Sequence, residues 1–211
     1  MRNSRKAGFT LIEMLTVIVI IVVVMTIGIP AFNNLMKAGG LSGASREVAN
    51  ALGLARQYAI THRTTTYVVF PYSGTTGTIG TNLAPCYQSY AVVDVGSGNY
   101  ISKWEHLPLG TVFMDSGATL APPAPLGLDT LPVTNNFHFP YTNSLPLTTL
   151  AYIGFNPTGA AINSGTLTVT EGFMNSGTIV VPTSKTSTNT LANQSVISVD
   201  NIIGRVKVFR P

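Results

Sequence analysis

The sequence predicts an α+β chain, a long N-terminal α-helix packed on a C-terminal antiparallel β-sheet or β-sandwich. Three observations predict it. Residues 9–29 read FTLIEMLTVIVIIVVVMTIGI, an almost unbroken apolar run. Helical periodicity follows, with Val48, Leu52, Ala55 and Ala59 at i, i+4, i+7 and i+11, an apolar stripe suited to covering a sheet. Beyond His62 the composition turns to short β-branched segments divided by Gly, Pro and Thr.

The apolar run is near the ~20 residues that a helix needs to cross a hydrocarbon core. Only 9% of the 211 residues are charged, against about 25% in an average soluble domain. Together with a mean hydropathy of +0.32, this excludes a disordered, charge-rich tail protein. Arg2, Arg5 and Lys6 precede the run with no acidic residue among them, which keeps the N-terminus cytoplasmic and sends the rest of the chain across the membrane. Without those three, the 12 basic and 8 acidic residues become nine against eight, so the sequence pI near 9.3 is no argument for a polyanion partner.

A secretory signal peptide cut near Lys37, Ala38 and Gly39 is the rival reading of the N-terminus. The run is longer than the ~7–15 residues of such a signal, and it carries a carboxylate, Glu13, at its fifth position. Ionised side chains at a helix centre in a bilayer cost about 2.5–3.5 kcal/mol on insertion scales, so an intramembrane carboxylate asks for a partner. No basic residue follows Glu13 until Lys37. The partner is therefore a new N-terminus or another molecule, unless lipid headgroups solvate the carboxylate.

After the run, Pro30 is expected to kink or locally melt the helix by removing a backbone donor. Gly39, Gly40 and Gly43 leave helix continuity open, and Ser42 or Ser45 is a candidate cap of a restarted helix. Strands are predicted at 66–70, 89–95, 100–105, 111–114, 150–155, 166–171, 178–181, 195–199 and 205–209, with 96–99 (GSGN) closing a hairpin. Residues 115–149 carry Pro122, Pro123, Pro125, Pro132, Pro140 and Pro146 and read as an insertion or surface loop with short strand pieces.

Signatures of the commonest hydrolase, zinc and nucleotide sites are missing: there is no GxSxG, HExxH, P-loop or paired CxxC. His62, His106 and His138 are far apart, and Glu105 and His106, being adjacent on a strand, face opposite sides. Cys86 is the single cysteine, so an intrachain disulfide is excluded and the thiol reads as buried or idle. Trp104, Tyr67, Tyr90 and Phe113 read as core aromatics. No enzyme activity, catalytic residue, metal site or cofactor is expected. Near the C-terminus Arg205 and Lys207 share one strand face, with Arg210 beyond them. They read as the charges that keep an edge strand soluble.

The segment Ala7-Gly8-Phe9-Thr10-Leu11-Ile12-Glu13, behind a short basic leader, resembles the processing signal of type IV pilins and pseudopilins. Counted from Phe9, Glu13 is fifth and Pro30 twenty-second, both positions that the family favours. The segment ARQYAI at 55–60 resembles the helix end of its GspH/FimT branch. So, in order, do LPLG at 107–110 with Val112 and Phe113, IGFNPTG at 153–159, Ile197-Ser198-Val199 and GRVKV at 204–208. The resemblance implies a leader at 1–8 that prepilin peptidase removes after Gly8, methylating Phe9. It further implies a transmembrane assembly helix at 9–29, a periplasmic stalk at 30–63 and a globular β domain at 64–211. Glu13 then pairs with the methylated amine of a neighbouring subunit. The implied protein is a minor pseudopilin of the type II secretion pseudopilus, held in the inner membrane by a single pass before assembly. Its partners are prepilin peptidase, other pseudopilins or minor pilins in a helical filament, and secreted cargo. The alternative is a FimT-like minor pilin that binds DNA for uptake through Arg205, Lys207 and Arg210, where Lys207 replaces the second Arg of a G-R-x-R motif.

Overall fold

The computed structural model describes residues 11–72, 86–114, 128–138, 147–163, 165–175, 178–180 and 193–210. Its helix α1 spans Leu11–His62. The strands that follow are β1 (Thr66–Phe70), β2 (Ser89–Asp94), β3 (Glu105–His106), β4 (Thr111–Phe113) and β5 (Val133–His138). After these come β6 (Leu147–Phe155), β7 (Gly165–Glu171), β8 (Phe173–Asn175), β9 (Thr178–Val180), β10 (Gln194–Val199) and β11 (Val206–Phe209). The chain forms two compact units, Met1–Gly39 and Gly40–Pro211.

In the first unit the helical backbone runs through Pro30, so the expected local melting is absent. Thr16 Oγ donates to the Ile12 carbonyl and Thr26 Oγ to the Val22 carbonyl, each at 2.8 Å. Both hydroxyls are thus satisfied on their own helix, four residues back.

In the second unit the helix is also continuous across Gly40 and Gly43. A Cβ at Gly40 would make ordinary contact with Thr111, and one at Gly43 with Pro108. Leu41 and Ala44 beside them are buried. This packing offsets the propensity cost of about 1 kcal/mol per glycine. Neither serine begins a new helix. Ser45 is buried within α1, and its Oγ donates to the Leu41 carbonyl at 2.7 Å. The predicted stripe is real: Val48, Leu52, Ala55 and Ala59 are fully buried.

Two antiparallel sheets receive that stripe. The five-stranded sheet has the order β3-β2-β1-β6-β5 and the four-stranded one β11-β10-β7-β4, with β8 and β9 forming a separate hairpin. Alternation along the central strands covers both faces of the larger sheet. Val68, Phe70, Tyr90, Val92, Ile153 and Phe155 join the helix stripe and Leu167, Val169, Ile197 and Val199 of the smaller sheet in the main core. Val69, Ala91, Val93 and Leu150 point the other way, under Trp104 and Phe137.

Segment 100–105 is not the strand expected. Tyr100 makes one bridge to Val93, and pairing resumes only at Glu105. Ile101 and Ser102 both donate to the Val92 carbonyl, while the Ser102 hydroxyl accepts from the Val92 amide at 2.9 Å. A side chain thus stands in for the backbone acceptor, and Trp104 lies over Val69 and Val93. Within the proline-rich stretch, β5 pairs with β6 as an edge strand interrupted between Thr134 and Phe137. It is one of the short strand pieces expected there, its bounds obscured in the sequence by the turn-like Asn135-Asn136 pair. β8, paired with β9, was not expected.

The hairpin at 96–99 is present and is organised by Asp94. Its carboxylate accepts from the Thr64 hydroxyl at 2.6 Å, the Gly96 amide at 3.0 Å and the Ser97 hydroxyl at 2.8 Å. Burial acts to raise its pKa, but these donors outweigh burial and hold it below the usual carboxylate value. Cys86 is buried as expected, and burial pushes its thiol up to about 11, which makes it a poor nucleophile at neutral pH.

Replacing Leu52 by Ala should cost about 2–5 kcal/mol through lost burial and a residual cavity. The same change at Leu54, which is 45% exposed, should stay within about 0.5 kcal/mol. Denaturant midpoints of the two variants check the assignment of the stripe.

Candidate functional site

Two regions carry the residues singled out from the sequence. In the first, Glu13 lies among the first described residues of α1. Gly8 and Phe9 lie outside the described residues. From Leu11 to Met25 every large apolar side chain is exposed, Leu11 at 83% and Ile20 at 62%. Thr16 and Thr26 are satisfied internally, so Glu13 is the one ionisable group among residues 11–26. Among the described residues no helix is long and apolar enough to cross a membrane.

In the second region, three sequence blocks far apart in the chain converge. Arg56 of α1 donates from Nε to the carbonyl of Gly159, which follows β6, at 3.0 Å. Gly204, in the β10 to β11 turn, packs against the same carbonyl, and a Cβ there would overlap its oxygen and lie 3.2 Å from Arg56 Nε. Gly159 and Gly204 both adopt positive φ, 83° and 62°, where L side chains are strained. A Cβ on Gly159 would also meet Ile60 at 2.6 Å.

Each turn is built to present its glycine. Asn156 Oδ1 accepts from the Thr158 and Ala160 amides at 3.0 and 3.1 Å. Asp200 Oδ1 accepts from Ile202 and Ile203 amides at 2.9 and 3.3 Å, and the Gly204 amide donates to the Asp200 carbonyl at 2.8 Å. The two amides, followed by the charge of Lys207, hold the Asp200 carboxyl below its ordinary pKa. The helix ends just beyond, with Arg63 in the left-handed region at φ 50°.

Arg205, Lys207 and Arg210 are not gathered into one cluster. Arg205 and Lys207 are exposed beside β11, an edge strand. Lys207 faces Asp200 electrostatically. At the other end of the strand, the Arg210 guanidinium donates to the Ser42 hydroxyl. His62 stacks on Tyr58 with ring centroids 3.8 Å apart, and Glu105 accepts from the Tyr90 hydroxyl at 3.0 Å. Among the described residues there is no group of three or more His, Cys, Asp or Glu that could hold a metal ion.

Residues 3–29 match the prokaryotic N-terminal methylation motif. Residues 44–187 match the type II transport protein GspH. The chain belongs to the GspH family. Among solved structures, the type IV minor pilin FimU of Pseudomonas aeruginosa strain PAO1 is similar over 83% of this chain and 92% of its own, with 10% identity and a TM-score of 0.45. No curated protein sequence matches the chain. In this GspH-family chain, three of the segments that carried the resemblance, ARQYAI, IGFNPTG and GRVKV, supply Arg56, Gly159 and Gly204. The sequence shows each block separately, but the shared hydrogen bond is visible only in three dimensions.

Gly204→Ala should destabilise the fold by more than the about 1–2 kcal/mol of a left-handed L residue, because the Gly159 carbonyl must also move. Arg56→Lys keeps the charge but removes the Nε donor and should cost about 1.5 kcal/mol. Denaturant titration of the purified chain measures both.

Proposed function

We propose that the chain is a minor pseudopilin of a type II secretion pseudopilus, cut after Gly8, methylated at Phe9 and inserted in the inner membrane with its β domain in the periplasm. The observation that carries this reading is one helix surface. Residues 11–26 expose apolar side chains on all sides, their threonines are hydrogen-bonded to their own helix, and Glu13 alone is ionisable. The methylation motif over residues 3–29 lies across this helix, and the leader is basic while the run from 9 to 29 is apolar apart from Glu13 and three threonines. An ionised carboxylate in lipid is costly, and an opposite charge offsets that cost only when the two meet. In this reading the new Phe9 amine of one subunit is the charge that Glu13 of the next one meets. Apolar helices supply contact area, and the carboxylate selects the axial position at which they pack. Pro30, at the end of the run, is part of the same assembly segment. Prepilin peptidase, neighbouring pseudopilins and secreted cargo are the partners that this role requires.

Replacing Glu13 by Ala should leave the chain in the membrane yet remove it from sheared filaments, scored by immunoblot of membrane and filament fractions. Undiminished filament incorporation rejects the register role. Intact mass from cells with and without prepilin peptidase should show a chain starting at methylated Phe9 only in the former. A start near Gly39 that ignores the peptidase overturns the reading.

DNA capture is the second reading, and the exposure of Arg205 and Lys207 on an edge strand favours it. Its electrostatic footing is thin, because Lys207 faces Asp200 and Arg210 is turned to Ser42. At most three neutralised phosphates give a salt slope of about −3. Fluorescence anisotropy at low salt should show no binding that is lost in the Arg205→Ala, Lys207→Ala, Arg210→Ala triple variant. Binding that disappears in that variant selects the DNA reading instead.

A further inference from the structure

Strand β11 ends the smaller sheet, and among the described residues no strand pairs with its outer side. The Asp200 amide donates to the Arg205 carbonyl at 3.0 Å, so these two form a hydrogen-bonded pair of the antiparallel ladder. Alternation makes Ser198 with Lys207 and Val196 with Phe209 the next such pairs. The amides and carbonyls of Val206 and Val208 therefore point away from β10, an open row of donors and acceptors. The strand is also accessible: Val208 is 43% and Phe209 53% exposed, Lys207 is exposed and only Val206 is half-buried.

The two faces of this edge differ. Val206 packs on the main core opposite buried Val199, and Val208 stands opposite buried Ile197. Arg205, Lys207 and Phe209 take the other face. α1 runs beside the first face, and β11 is tied to it at both ends. Gly204 rests against Gly159 and Arg56, and the Arg210 guanidinium donates to the Ser42 hydroxyl. From Ser42 to Arg56 the helix rises about 21 Å, and from Gly204 to Arg210 an extended chain spans about 20 Å, so strand and helix keep level between the ties. On that helix flank stand Ala49 and Gly53, and a Cβ on Gly53 would meet nothing. The helix thus leaves room on the apolar face of the edge.

Charge along the edge is of one sign. Arg205 and Lys207 lie on it, Arg210 follows it, and exposed Arg46 stands one helical turn beyond Ser42. Asp200 is the one carboxylate between Gln194 and Pro211. Its Oδ1 is held by the Ile202 and Ile203 amides, and it faces Lys207. Like charges keep two such edges from pairing with each other. They favour a strand of the opposite sign.

We propose that β11 receives, as an added strand, an extended segment of another protein in which apolar and acidic residues alternate. The backbone of that segment takes the open amides and carbonyls of Val206 and Val208. Its apolar side chains lie on the Val206 and Val208 face, and its carboxylates meet Arg205 and Lys207 on the other. In strand addition main-chain bonds supply affinity and alternate side chains supply selectivity, and a guanidinium such as that of Arg205 can hold a carboxylate through two hydrogen bonds. The site goes beyond the filament role and stands or falls separately from it, because it uses only residues after Gly40.

The test is fluorescence anisotropy of the purified full chain in detergent with short labelled peptides. One alternates valine and glutamate. The controls alternate valine and lysine, or carry the same valines and glutamates as two blocks. The alternating glutamate peptide should bind about tenfold more tightly than either control. N-methylation of its valines removes the bonds of an antiparallel added strand, and N-methylation of its glutamates those of a parallel one, so one methylated peptide and not the other should lose binding. Val208→Pro removes an outward donor without breaking a bond to β10 and should weaken binding about tenfold, with the circular dichroism spectrum retained. Arg205→Glu with Lys207→Glu should transfer the preference to the lysine peptide. No preference for the alternating glutamate peptide, or equal binding of the two methylated ones, overturns the added strand. So does displacement of the peptide by a short DNA duplex that binds Val208→Pro as tightly as the unaltered chain, which would assign this edge to phosphate instead.

Discussion

Everything in the unit from Gly40 onward depends on how closely α1 lies on the two sheets. The buried stripe is built from Ala44, Ser45, Val48, Leu52, Ala55 and Ala59, mostly small side chains that let a helix backbone approach a pleated surface. Close approach is what lets the Thr66 hydroxyl, at the start of β1, reach the Ala55 carbonyl at 2.7 Å and Arg56 reach Gly159. The Thr66 bond ties the helix to the larger sheet and the Arg56 bond ties it to the turn beyond β6. Against Gly159 rests Gly204, which carries the edge strand of the smaller sheet. A bulkier stripe would lift the helix and break these bonds together.

The sequence revealed those parts of the fold whose signals are local. The helical stripe, β1 and the Asp94 hairpin depend on apolar spacing or turn chemistry within a few residues, and they appear where that chemistry put them. The strands whose bounds the sequence did not mark owe their existence to neighbours. β5 contains a polar pair that reads as a turn, and it is a strand because β6 offers it a ladder and Phe137 finds a place near Tyr67 and Tyr100. Residues 100–104 failed for the opposite reason. Their β-like composition was overridden by the Ser102 hydroxyl, which captured the Val92 amide. For the candidate sites, Glu13 was visible because a lone carboxylate in an apolar run is a local anomaly. The meeting of Arg56, Gly159 and Gly204 was not, since nothing in a one-dimensional pattern says that positions 103 residues apart share a hydrogen bond.

Membership of the GspH family divides the chain chemically. Over residues 11–26 the helix has one ionisable side chain, Glu13, among apolar residues and two threonines bonded to their own backbone. The β unit concentrates its polar chemistry at turns, where Asp94, Asn156 and Asp200 each use a side-chain oxygen to gather backbone amides. These three carboxylate or amide groups shape the loops that they close.

The self-satisfied threonines of the N-terminal helix have one more consequence. Because Thr16 and Thr26 keep their hydroxyl protons on their own backbone, the cylinder of residues 11–26 has no threonine donor to spare for a neighbour. Such a cylinder can spin about its long axis, or slide along a neighbour, without giving up a bond at any angle.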